Sequence, residues 1–141
     1  PSLAATARRR RPVWPDRATV RASYGSRPPL DALAPEALAA YVRWGFVDRD
    51  DGQVELACAP ETEAGIFDSG SRHGPLQAFR RLGDVSAPTS VLAGTLTDLA
   101  EAWFVEQAEI LGTEVVWVEG GHFFLFEDID RAEGLVRSHL G

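Results

Sequence analysis

From Pro88 onward the chain alternates strand and helix, and this run limits the fold more than any other feature. "TSVLAG" (89–94) reads as a short apolar strand and "TDLAEAWFVEQAEILG" (97–112) as a helix. "TEVVWVEG" (113–120) is a second strand, β-branched and aromatic, and "IDRAEGLVRSHL" (129–140) a last helix. Two nearly unbroken apolar strands joined through a helix imply a parallel sheet covered on both faces. Two parallel strands do not make a stable sheet alone, so the remaining strands come from a second copy or from polypeptide outside this sequence.

Local signals support this order. Thr97 or Asp98 is placed to cap the first of these helices, Glu101 favours its first turn, and Gly112 closes it. In the last helix Ile129, Ala132, Leu135 or Val136, and Leu140 point toward a core. Upstream of a division near Arg72 to Asp84 the pattern is irregular, with prolines and short helical turns. There Pro35 starts a helix with Leu38, Tyr41 and Val42 on one face, and Gly45 ends it. Asp51-Gly52 centres a turn, and Val54, Leu56 and Cys58 share a face of a short extended run. Pro60 opens a helical turn over "PETEAGIF". "GPLQAFRRL" reads as a helix with Leu76, Phe79 and Leu82 on a face, ending at Gly83.

The 141 residues make one domain or part of one, and 45% hydrophobic content supports a packed core. There is no Met, and the first residue is Pro1, which fits a piece of a longer product. A formal net charge of −7 argues against nucleic acid as the main partner. The four consecutive arginines from Arg8 to Arg11 read as a solvated face or a protease-sensitive stretch; a nucleic-acid or membrane arm and salt bridging to acidic neighbours are the alternatives. The single cysteine, Cys58, rules out an internal disulfide, fits a cytoplasmic protein, and reads as an inert buried thiol. Nothing suggests a metal site, a cofactor or a membrane span.

In parallel sheets ligands bind at the carboxyl ends of strands. One such end presents Thr95, Thr97 and Asp98; the other presents Glu119 and His122. An acid after one strand and a histidine after the next allow an imidazole held at Nδ1, with Nε2 free as a base. His122, preceded by Gly120 and Gly121, is either such a base or a turn residue. His73 and His139 read as loop and helix-end residues, and a Ser71–His73 pair as a remote possibility.

This order of acid and histidine resembles the C-terminal half of the α/β-hydrolase superfamily. "SAPTSVLAGTLTD" looks like the seventh strand and acid loop, and "EVVWVEGGHFFLFEDID" like the eighth strand, histidine loop and start of the last helix. Many members carry a glutamate five residues after the histidine, where Glu127 stands. "YVRWGFVDRDDGQVELACAPETEAGIF" looks like a cap segment of esterase-like members. The resemblance implies an α/β fold: the C-terminal part of an α/β-hydrolase core over 73–141, its parallel strands flanked by helices, with a helical cap over 1–72.

It further implies His122 as catalytic base, with Asp98 as orienting acid or, as in some members, an acid at the end of the sixth strand outside this chain. Trp103 and Phe123 are candidate pocket walls, among other aromatics (Trp14, Trp44, Phe46, Phe67, Phe124) that suit a core as well. No cofactor or metal is called for. The expected partners are the N-terminal half of the same hydrolase and a small uncharged substrate, with neither nucleic acid nor membrane. Two departures stand out. The family acid sits three residues after the strand-end glycine; counted from Gly94 that is Thr97, with Asp98 the fourth. The nucleophile motif G-x-S-x-G is absent. Hydrolysis of an ester or related acyl compound is therefore expected only with the missing half. An aspartate nucleophile there would instead suit epoxides or carbon–halogen bonds. The alternative is a non-enzymatic α/β-hydrolase-like binding module.

Overall fold

A computed structural model describes residues 2–73 and 75–140, with side chains described outside 71–77. The chain forms two compact units, Pro1–Asp31 with Leu38–Leu76, and Ala32–Ala37 with Gln77–Gly141. The 32–37 segment is grouped with the second unit.

The first unit is more regular than its sequence suggests. It contains helices α1 (Leu3–Arg8), α2 (Arg17–Tyr24), α3 (Pro35–Trp44) and α4 (Pro60–His73) and a three-stranded antiparallel sheet, although the first residues of α3 belong to the second unit. Its strands β1 (Val13–Trp14), β2 (Phe46–Asp48) and β3 (Val54–Leu56) are ordered β1-β3-β2. Phe46 pairs with Leu56 and Asp48 with Val54, so both ends of the hairpin are in register. Gly52, at φ +79°, turns it as expected. α1 packs on α4 through Ala4, Ala7 and Ala64, whose small side chains let the helix backbones come close. Val20, Trp14, Leu38, Val42, Phe46, Val54 and Leu56 fill the rest of the core.

Three expectations change here. Arg8 and Arg10 are not simply solvated. Arg8 pairs with Glu61 at 3.1 Å and Asp68 at 2.7 Å, and Arg10 with Glu63 at 2.5 Å. Burial opposes the Arg10 charge, but hydrogen bonds to Tyr24 and Glu63 outweigh it and raise its pKa. Cys58 is exposed, because β3 ends at Leu56 and the face it was assigned to does not continue. The "PETEAGIF" turn extends into the 14-residue α4. Leu76 and the Ser71–His73 pair lie outside the described side chains.

The second unit contains the predicted alternation. α5 (Pro75–Arg80) runs into a 3₁₀ turn over Arg81–Asp84, and then β4 (Val91–Gly94), α6 (Glu101–Leu111), β5 (Val115–Val118), α7 (Phe124–Glu127) and α8 (Ile129–Leu140) follow. β4 and β5 are parallel, with Val91 opposite Val115 and Gly94 opposite Val118. Gly112 closes α6 at φ +68°, its N–H donating to the Ala108 and Glu109 carbonyls. The start of α6 differs from expectation: its N-cap is Ala100, and Thr97 and Asp98 stand ahead of it in the loop.

The apolar stripe of α8 also differs. No described residue of α8 is buried, and Ile129 and Val136 line an open groove of about 550 Å³ with Leu125 and Phe126 of α7. A sheet of two strands offers too little surface to cover it.

Candidate active site

The loops that leave β4 and β5 are tied together by backbone hydrogen bonds. The Thr95 N–H donates to the Val118 carbonyl and the Leu96 N–H to the Gly120 carbonyl, each at 2.8 Å. Gly94, the last residue of β4, lies directly under the histidine turn. A Cβ there would be 2.0 Å from the Gly121 carbonyl oxygen and 2.7 Å from that of Gly120, so no side chain fits. Gly120 itself has φ +137°, a conformation open to glycine.

Glu127 braces the turn from the other side. Both its carboxylate oxygens accept the Gly121 N–H, at 3.0 and 3.1 Å. A Cβ on Gly121 would come within 2.7 Å of Oε1, and one on Gly120 within 2.8 Å of Oε2. The glycine pair, rather than only permitting a turn, makes room for this carboxylate. The Ala34 N–H donates to the Phe126 carbonyl at 2.8 Å, holding the 32–37 segment against α7.

The imidazole of His122 is exposed at the end of this turn. Its ring meets that of Phe123 edge-on, 5.2 Å between centroids. Its Nδ1 lies 3.5 Å from the hydroxyl of Thr97. Asp98, the next residue, is exposed and makes no hydrogen bond or ion pair among the described residues. The β4 loop thus reaches the ring with the hydroxyl of Thr97 and not with the expected carboxylate of Asp98. Trp103 is more than half exposed on α6, and Phe123 is exposed at the start of α7. Trp14 and Phe46 are core residues of the first unit, while Trp44 is exposed against Arg43. His139 is a helix-end residue, its Nδ1 2.9 Å from the Leu135 carbonyl.

Chemically, an exposed imidazole fixed through its own backbone and approached at Nδ1 by an oxygen is suited to proton transfer at Nε2. Sequence reasoning missed how Gly94 and Glu127 build the turn. A glycine ending an apolar strand was the visible signal for the first. Among the described residues no three His, Cys, Asp or Glu side chains gather to hold a metal ion. No described helix is long and apolar enough to cross a membrane.

No protein-family profile and no curated protein matches the chain. Solved structures do. It is similar to E-2-(acetamidomethylene)succinate hydrolase, with a TM-score of 0.74 and 21% identity over 98% of this chain and 50% of that one. It is also similar to the thioesterase domain from the curacin biosynthetic pathway, with a TM-score of 0.64 and 20% identity over 94% of this chain and 44% of that one. The chain thus spans about half the length of each. With its parallel strand pair and flanking helices, it carries part of an α/β-hydrolase fold.

Proposed function

We propose that the chain is the histidine-bearing half of a cytoplasmic hydrolase that acts on an ester or related acyl group. The observation that carries this reading is the braced turn that presents an exposed His122 at the end of β5, beside the loop that leaves β4. In this mechanism Nε2 of His122 takes the proton of a serine hydroxyl as the serine oxygen attacks the acyl carbon. It then gives that proton to the departing group, and repeats the cycle with water to release the acid. The serine and the oxyanion donors come from the N-terminal half, the chain's partner. Residues 1–72 act as the cap. Trp103 and Phe123, both exposed in this chain, serve as apolar walls for a small uncharged substrate. The β4 loop, with Thr97 and Asp98, serves the Nδ1 side. A net charge of −7 suits neither nucleic acid nor an anionic membrane as partner.

Labelling of the complete protein with a fluorophosphonate tests the assignment. His122→Ala is expected to slow labelling by about 100-fold or more, the usual size of general-base catalysis. Labelling at the native rate would remove His122 as the base. One observation favours a second reading, a non-enzymatic binding module: a neutral hydroxyl, not a carboxylate, faces Nδ1.

A further inference from the structure

We propose that Thr97 is the positioning residue of His122: its hydroxyl oxygen accepts the Nδ1–H of the imidazole and leaves Nε2 free. This rests on the reading of His122 as a base.

Four contacts fix the loop that carries the hydroxyl. The Thr97 N–H donates to the Gly94 carbonyl at 3.2 Å, and the Thr95 and Leu96 amides are tied to the carbonyls of Val118 and Gly120. The Leu99 N–H donates to Thr97 Oγ1 at 3.3 Å, which turns the side chain back on its own loop. A threonine oxygen has two lone pairs, and Leu99 takes one. The second is left for His122, whose Nδ1 is 3.5 Å from the same oxygen. Thr97 is half-buried. The ring is held from behind by its turn, where Glu127 fixes the neighbouring Gly121 amide. Both partners are thus placed by backbone hydrogen bonds, and the contact between them is a product of the fold.

This arrangement sets the orientation and tautomer of the imidazole without supplying a negative charge. A carboxylate in that place does both, and steadies the imidazolium that forms in the reaction. Thr97 performs the first task alone. Asp98, one residue further, makes no hydrogen bond or ion pair among the described residues.

The tautomer is read on the ¹⁵N-labelled complete protein by long-range ¹H–¹⁵N correlation at a pH where the ring is neutral, with His122→Gln identifying the signals of His122. The wild-type chain and Thr97→Ser are expected to carry the proton on Nδ1. Thr97→Val is expected to shift it to Nε2, and Asp98→Asn to leave it in place. A proton on Nε2 in the wild-type chain overturns the proposal, since Thr97 is then the donor. So does an unchanged tautomer in Thr97→Val, or a shift caused by Asp98→Asn. The readout needs no turnover. Native fluorophosphonate labelling of His122→Ala would end the base assignment while leaving the Thr97 contact intact, so the two failures are separate.

Discussion

The carboxylate of Glu127 accepts one backbone amide with both oxygens, immediately before the histidine in the chain. A half-buried hydrogen bond to a charged group carries more than an ordinary one, and its loss strands the Gly121 amide. Glu127→Ala is therefore expected to destabilise the chain by about 1–3 kcal/mol in urea unfolding. Glu127→Gln keeps one acceptor and is expected to cost about 1 kcal/mol. A change below about 0.5 kcal/mol in the alanine variant, the usual size for an uninvolved surface residue, would show that the turn stands without its brace. The residue pattern foretold the place of this glutamate but not its partner, since a spacing of five says nothing of which amide the carboxylate meets. Thr97 illustrates the same limit. Counting from Gly94 marked it as the position of an acid, yet only the backbone bonds of its loop show that its hydroxyl faces the ring.

At the scale of elements, signals contained within one segment were legible and those set by distant contacts were not. β4, β5 and α6 stand out as apolar runs with glycine stops, β3 and its hairpin by the Asp51-Gly52 turn, and α8 by its apolar spacing. β1 has two residues and exists through its pairing with β3. α4 runs past Gly65 and Gly70, residues that disfavour a helix. Its support comes from α1, through Ala64 and the Arg8 pairs with Glu61 and Asp68, contacts some 50 to 60 residues apart in sequence. α2 starts on a side-chain cap: the Thr19 N–H donates to Asp16 Oδ1 at 2.6 Å. Hydrogen bonds from the Thr19 backbone and side chain hold the Asp16 carboxyl below its ordinary range. A folded value below the unfolded one, near about 4, means the cap contributes fully above that pH and is lost as pH falls through the folded value. The Thr19 amide is expected to lose exchange protection on acidification below about pH 4, and Asp16→Asn to flatten this dependence. Equal pH profiles for the two proteins would refute the assignment of the cap.

Across the whole molecule the two units differ in how much each has to bury. The first holds Trp14, Val20, Phe46 and their neighbours out of solvent, and its central strand β3 has a partner on each side. In the second, among the described residues, the buried apolar side chains are Ala93, Ala108 and Val118, and its sheet has two strands. A pair of strands is marginal by itself, and local opening follows such differences. Hydrogen exchange followed by mass spectrometry is expected to show β3 exchanging more slowly than β4 and β5. Equal or reversed rates would mean that the second unit draws stability from something other than its buried side chains.

The bare Cα of Gly94 under the Gly121 carbonyl has a mechanical meaning as well. With no room for even a methyl group between them, any side chain at position 94 has to wedge the two strand-end segments apart.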